Sequence, residues 1–174
     1  MSTLEYYVER TDQKLRFARI HVEELRTNPS RNTGDDFERS HHEAFLAQFY
    51  GATDAFLQEL NIYYSAQLPV DKVSRRAMAE RLQKMSVTSK ELDELARLEG
   101  DAEGYISIAK ELRHHATHRG GIPMQHYFNG PSNLVHPSTR EELQTDCVEL
   151  FSGWLDRLIA LLGGFRATAA AGDA

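Results

Sequence analysis

"ELDELARLEGDAEGYISIAKELRHHATHRGGIP", residues 91–123, decides how the chain is read. Leu92, Leu95, Leu98, Ala102, Tyr105, Ala109, Leu112 and Ala116 recur three or four positions apart, the period of one face of an α-helix. Thr88, followed three residues later by Glu91, has the capping-box spacing that opens a helix. At the far end Gly120 and Gly121 supply a C-terminal cap, and Pro123 blocks continuation. One long helix is therefore expected. Its last turns concentrate three of the chain's eight histidines, His114, His115 and His118, together with Lys110, Arg113 and Arg119.

The same periodicity extends outward. Leu4, Tyr7, Val8, Leu15, Ala18, Val22 and Leu25 predict a helix from about Thr3 to Thr27, broken by "TNPSRNTGDD". Phe45, Phe49, Phe56, Leu57 and Leu60 predict a second from about Phe37 to Ser65, with Gly51 a slight weakness inside it. Asp71 to Met85 reads as a shorter helix whose Arg75, Arg76, Arg81 and Lys84 form a solvated face. Ser138 with Glu141 resembles a second capping box, opening a last helix striped by Leu143, Cys147, Leu150, Phe151, Trp154, Leu155, Leu158 and Leu162. The stretch from Ile122 to Pro137 is irregular, and residues 166–174 read as a disordered tail. No segment alternates with period two for long. The expected architecture is all-α: an up-and-down bundle of four main helices plus one short helix, in one domain spanning residues 1–165.

Composition narrows the function classes. A 174-residue chain can bury one full core, and a net charge of -6 argues against coating nucleic acid through the overall field. Cys147 is the only cysteine, so an intrachain disulfide and a cysteine-based zinc ribbon are excluded. "MSTLEYYVER" carries charges where a signal peptide needs an apolar run, and "VELFSGWLDRLIALLGGF" is too charged to span a bilayer. A cytoplasmic protein with no membrane segment is expected.

The cationic cluster admits three readings. Positive side chains in a last helical turn complement the macrodipole, although one or two charges suffice and lysine would serve as well as histidine. His114 and His118 also have the i, i+4 spacing of paired metal ligands, without the glutamate of H-E-x-x-H. A third ligand from His41 or His42 would lie roughly 30 Å away in an up-and-down bundle, which leaves His126 and His136. No metal or other cofactor is therefore expected in the protein. The third reading is phosphodiester chemistry: Arg113 holds a phosphate and stabilises developing charge while His118 moves a proton of a ribose 2'-hydroxyl. His114, Lys110, Arg119 and His126 would support it. One arginine and one histidine make a sparse site, so two copies meeting across a twofold axis are expected.

"LRHHATHRGGIP" also resembles the Arg-polar-x-x-x-His signature of the HEPN superfamily, with Arg113, His114 and His118 at the motif positions. "HHEAFLAQFYGATDAFLQELNIYY" is similar to the long helix that precedes the motif in such proteins, with Asn61 in its closing run. The resemblance implies a helical bundle that dimerises and, in active members, cuts RNA without metal to leave a 2',3'-cyclic phosphate. It also implies a bacterial toxin-antitoxin or defence setting, with an antitoxin-like protein partner. Other members are non-catalytic modules that bind nucleotides or partners.

Overall fold

Ser2 starts the first helix. Its hydroxyl accepts the Glu5 N–H at 3.2 Å while the Glu5 carboxylate accepts the Ser2 N–H at 2.6 Å, a reciprocal capping box. In the computed structural model that helix, α1, runs Thr3–Thr27 and is followed by α2, Asp36–Tyr63, both close to the expected bounds. The structure describes residues 2–28, 36–118, 121–125, 133–143 and 146–172, with side chains of the last helix only to 167. That helix, α6, runs Cys147–Gly172.

Side-chain pairs fix how the three long helices run. Lys14 donates to Gln48 and His21 meets His41, so α1 and α2 are antiparallel. Phe45 stacks on Phe151 with centroids 4.1 Å apart and Phe56 stacks on Phe165, so α2 and α6 are parallel. Phe45, Phe49, Phe56 and Phe151 are fully enclosed, and each such burial contributes about 1.5–3 kcal/mol. The aromatic stripe is core, as the spacing indicates.

Beyond the apolar core, Arg166 joins the same three helices. Its guanidinium grips Glu59 with two hydrogen bonds, at 3.0 and 2.7 Å, and donates to Asp12 at 2.7 Å. Glu59 is buried, so this pairing offsets the desolvation of its charge. α6 continues through Gly172, with Arg166 anchored within it.

The long helix expected over residues 88–118 is two helices, α4 (Lys90–Gly100) and α5 (Tyr105–His118), preceded by α3 (Arg75–Lys84). The break is chemical. The Asp101 carboxylate accepts the Glu103 N–H, and the Gly104 N–H donates to the Asp101 carbonyl. A Cβ on Gly104 would lie 2.9 Å from that carbonyl, so the turn needs glycine there. The cap of α4 is Ser89, accepting from the Leu92 N–H, rather than Thr88.

Ser138 and Glu141 do not open the last helix. They lie in a turn where His136 and Glu141 pair through the backbone, and the Asp146 carboxylate caps α6 by accepting from Val148 and Glu149. The irregular stretch contains a small antiparallel hairpin, β1 (Met124–Gln125) with β2 (Asn133–Leu134), too short to show alternation in sequence. Gly121, at φ 128°, takes a conformation that suits glycine just beyond α5, while Arg119, Gly120 and His126 lie outside the described residues. Among the described residues no helix is long and apolar enough to cross a membrane. The expected all-α class is observed.

His42 is 1% exposed against Phe151, and neither ring nitrogen has a hydrogen-bond partner. Burial, with the His41 ring adding to it, pulls its pKa down to about 4. Because the folded value lies below the unfolded one, the unfolded chain takes up a proton first as pH falls. Stability should therefore drop progressively from about pH 6.5 to pH 4, by about 3 kcal/mol from this residue. Urea unfolding across that range checks it: His42→Leu should flatten the decline, and an unchanged slope would contradict the assignment.

Candidate functional site

The last two turns of α5 form one wall of a cleft of about 760 Å³. Lys110, Arg113, His114 and His118 all line it, so the structure brings together the four described residues of the expected cluster. His115 lines it as well. Leu112, fully buried, anchors the helix and turns its polar face outward. His114 and His118 are exposed one turn apart with ring centroids 4.9 Å apart, as the i, i+4 spacing requires. Arg113 is half-buried and leans the other way. Its guanidinium carbon sits 5.0 Å from the centre of the Tyr50 ring on α2, a cation–π contact.

Sequence reasoning found the cations and missed what surrounds them. Glu99, at the end of α4, accepts from Arg75 Nε at 2.9 Å and lies 3.9 Å from Lys110 Nζ. Arg75 is thus an ion-pair partner behind the cleft rather than part of a solvated face. Arg81, read the same way, donates to the Ala66 carbonyl and secures the turn after α2. Glu111 accepts from the Ser138 hydroxyl at 2.6 Å, which ties the 136–140 turn to the cleft rim. Glu99 comes from α4, whereas Glu111 lies on α5 beside the cations as a local counter-charge.

The electrostatics follow. Burial, then the charges of Glu99 and Asp54, push the Tyr50 hydroxyl up to about 12, with Arg113 and Arg75 opposing. Tyr50 is therefore a neutral platform at physiological pH. Asp54 keeps contact with solvent but is crowded by protein, and that crowding raises its carboxyl above the ordinary value; Arg113 draws it down and Glu99 raises it. Arg113 rests on the Tyr50 ring while its charge still faces the cleft.

His136 lies behind this wall. It is 4% exposed, and its Nδ1 accepts from the Ser138 and Thr139 N–H groups, so the proton of the neutral ring sits on Nε2. It secures the turn that carries Ser138. Among the described residues, no group of three or more His, Cys, Asp or Glu side chains is arranged to hold a metal ion.

Comparison with protein-family models, with curated proteins and with solved structures returns no match for this chain. What the site can do is therefore argued from its own chemistry. An arginine fixed on an aromatic ring, a flexible lysine and two exposed imidazoles make an anion-binding wall with proton-transfer groups beside it.

The Tyr50–Arg113 contact should be measurable. A double-mutant cycle of Tyr50→Leu and Arg113→Met, read by urea unfolding, should give a coupling of about 0.5–2 kcal/mol, whereas Tyr50→Phe should retain most of it. Additive effects of the two substitutions would show that the ring does not hold the guanidinium.

Proposed function

We propose that this chain is a HEPN-like helical-bundle protein that acts on RNA as a metal-independent endoribonuclease. The observation that carries the reading is the convergence of Arg113, His114, His118 and Lys110 on one open cleft, with Arg113 set on Tyr50. Arg113 holds the scissile phosphate and stabilises charge on its oxygens, while His118 accepts the 2'-hydroxyl proton. The oxygen so activated attacks the adjacent phosphorus, the 5'-oxygen leaves with a proton, and a 2',3'-cyclic phosphate remains. His114 orients the pair, and Lys110 adds positive charge along the phosphate path.

With His114 orienting the pair, His118 provides the base but not the acid. The functional form is accordingly a homodimer in which the C-terminal ends of the two α5 helices approach across a twofold axis and each supplies a His118. A toxin-antitoxin or defence role in the cytoplasm, with a protein antitoxin as partner, completes the reading. Glu99 and Glu111 on the cleft favour a second reading, because carboxylates oppose a polyphosphate chain. In that reading the site is a non-catalytic module for a single nucleotide or for a protein partner.

Cleavage of a defined RNA in excess chelator tests the first reading. Activity should persist, the products should carry cyclic phosphate ends, and Arg113→Ala and His118→Ala should each lower the rate by roughly a hundredfold or more. His114→Ala should lower it less, and all three variants should keep wild-type helicity. Undiminished cleavage by both Arg113→Ala and His118→Ala would refute the mechanism, and no cleavage of any RNA would move the assignment to the binding module.

A further inference from the structure

A second pair of histidines lies where α1 meets α2, and the pairings described above leave its role open. His21 Nδ1 and His41 Nδ1 are 3.1 Å apart, with ring centroids 5.2 Å apart and planes inclined at 62°. Both rings are half-buried and retain access to solvent. Phe37 packs on the His41 ring from one side with centroids 4.4 Å apart, limiting its rotation. The pair joins the two antiparallel helices α1 and α2.

Two neutral imidazoles at this distance share one proton, with one Nδ1 donating and the other accepting. The same geometry suits a different occupant. A tetrahedral divalent metal with metal–nitrogen bonds of about 2.0–2.1 Å holds its ligand nitrogens about 3.3 Å apart, a few tenths of an ångström from the observed spacing. Glu24 lies one turn beyond His21 on α1, and its charge already acts on the His21 ring. Its carboxylate hydrogen-bonds only to Asn28 Nδ2 among the contacts described, at 3.2 Å, which is a surface contact readily exchanged. His42 contributes nothing, since it turns into the core against Phe151.

We infer that His21 and His41 form a two-histidine site for a borderline divalent transition metal, such as zinc, nickel or copper(II), that straps α1 to α2. Glu24 is the third ligand this site would recruit, with water completing the shell; no group of three ligands is preassembled among the described residues. The exchange balances without loss of a proton: the donating ring moves its hydrogen from Nδ1 to Nε2, and both rings stay neutral as the metal takes the two Nδ1 lone pairs. Imidazole nitrogen suits these metals, and Mg²⁺ or Ca²⁺, which take oxygen ligands, should not compete. This site is independent of the RNA reading and lies on a different helix pair from the α5 cleft.

Calorimetric titration of the full chain with Zn²⁺ at neutral pH tests it. About one Zn²⁺ per chain should bind, with affinity lowered at least tenfold in His21→Ala and in His41→Gln, more modestly in Glu24→Gln, and unchanged in the His114→Ala His118→Ala double variant. Variants are compared at matched helicity. As a second readout, copper(II) bound to the wild type should show hyperfine coupling to two imidazole nitrogens in its electron paramagnetic resonance spectrum, reduced to one in His41→Gln. Absence of saturable Zn²⁺ binding, binding retained by His21→Ala and His41→Gln, or binding abolished only by the His114→Ala His118→Ala change would each overturn the inference.

Discussion

The Arg166 guanidinium, gripping Glu59 on α2 and Asp12 on α1 from its own place on α6, is the constraint on which the rest of the structure depends. Apolar packing alone lets parallel and antiparallel helices slide by a turn with little loss, because leucine and phenylalanine faces are similar at successive registers. A bidentate pair with a buried carboxylate has one register. Removing Arg166 would strand the buried Glu59 charge, at about 3–5 kcal/mol. With that register set, the Phe45–Phe151 and Phe56–Phe165 stacks fall into place, and Tyr50 is presented from α2 toward α5.

The cleft inherits its properties from this frame. Arg113 has a fixed position because the Tyr50 ring occupies the space beside α5, and α5 itself is fixed by the enclosed Leu112 and Ile106. Glu99 reaches the cleft because the chain breaks at Asp101–Gly104 and α4 ends beside α5 instead of continuing through it. A single unbroken helix would carry Glu99 more than two turns away from Arg113 along one axis. The break therefore turns a cationic helix end into a cleft with both signs of charge, in which a phosphate and the donor groups of a ligand can each find a partner.

Much of this was legible in the sequence, for physical reasons that can be named residue by residue. Amphipathic stripes place α1 and α2 within two residues because their apolar faces are regular and their ends carry capping or turn residues. The spacing of His114 and His118 puts them on one face by helix geometry alone. What failed was local competition. The apolar stripe stays in phase through Leu98, Ala102 and Tyr105, so periodicity conceals the turn that the Asp101 carboxylate and Gly104 build between them; "EGDAEG" was the available signal. Ser138–Glu141 has capping spacing, yet the Ser138 hydroxyl serves Glu111 across the chain instead. Tyr50, Glu99 and Asp54 could not be assigned to the site from spacing, since their proximity to Arg113 is tertiary. Arg166 looked like tail because its partners lie 107 and 154 residues away.

On the proposed reading, the α5 end is an anion-binding wall that receives a ribonucleotide phosphate. Titrating the protein, isotopically labelled at arginine and histidine side chains, with a short oligoribonucleotide tests it most directly by nuclear magnetic resonance. Saturable shifts of the Arg113 guanidinium and the His114 and His118 rings are expected, weakening as salt is raised, with Arg19 and Arg26 unmoved. Shifts confined to other arginines, or none up to millimolar oligonucleotide, would contradict it.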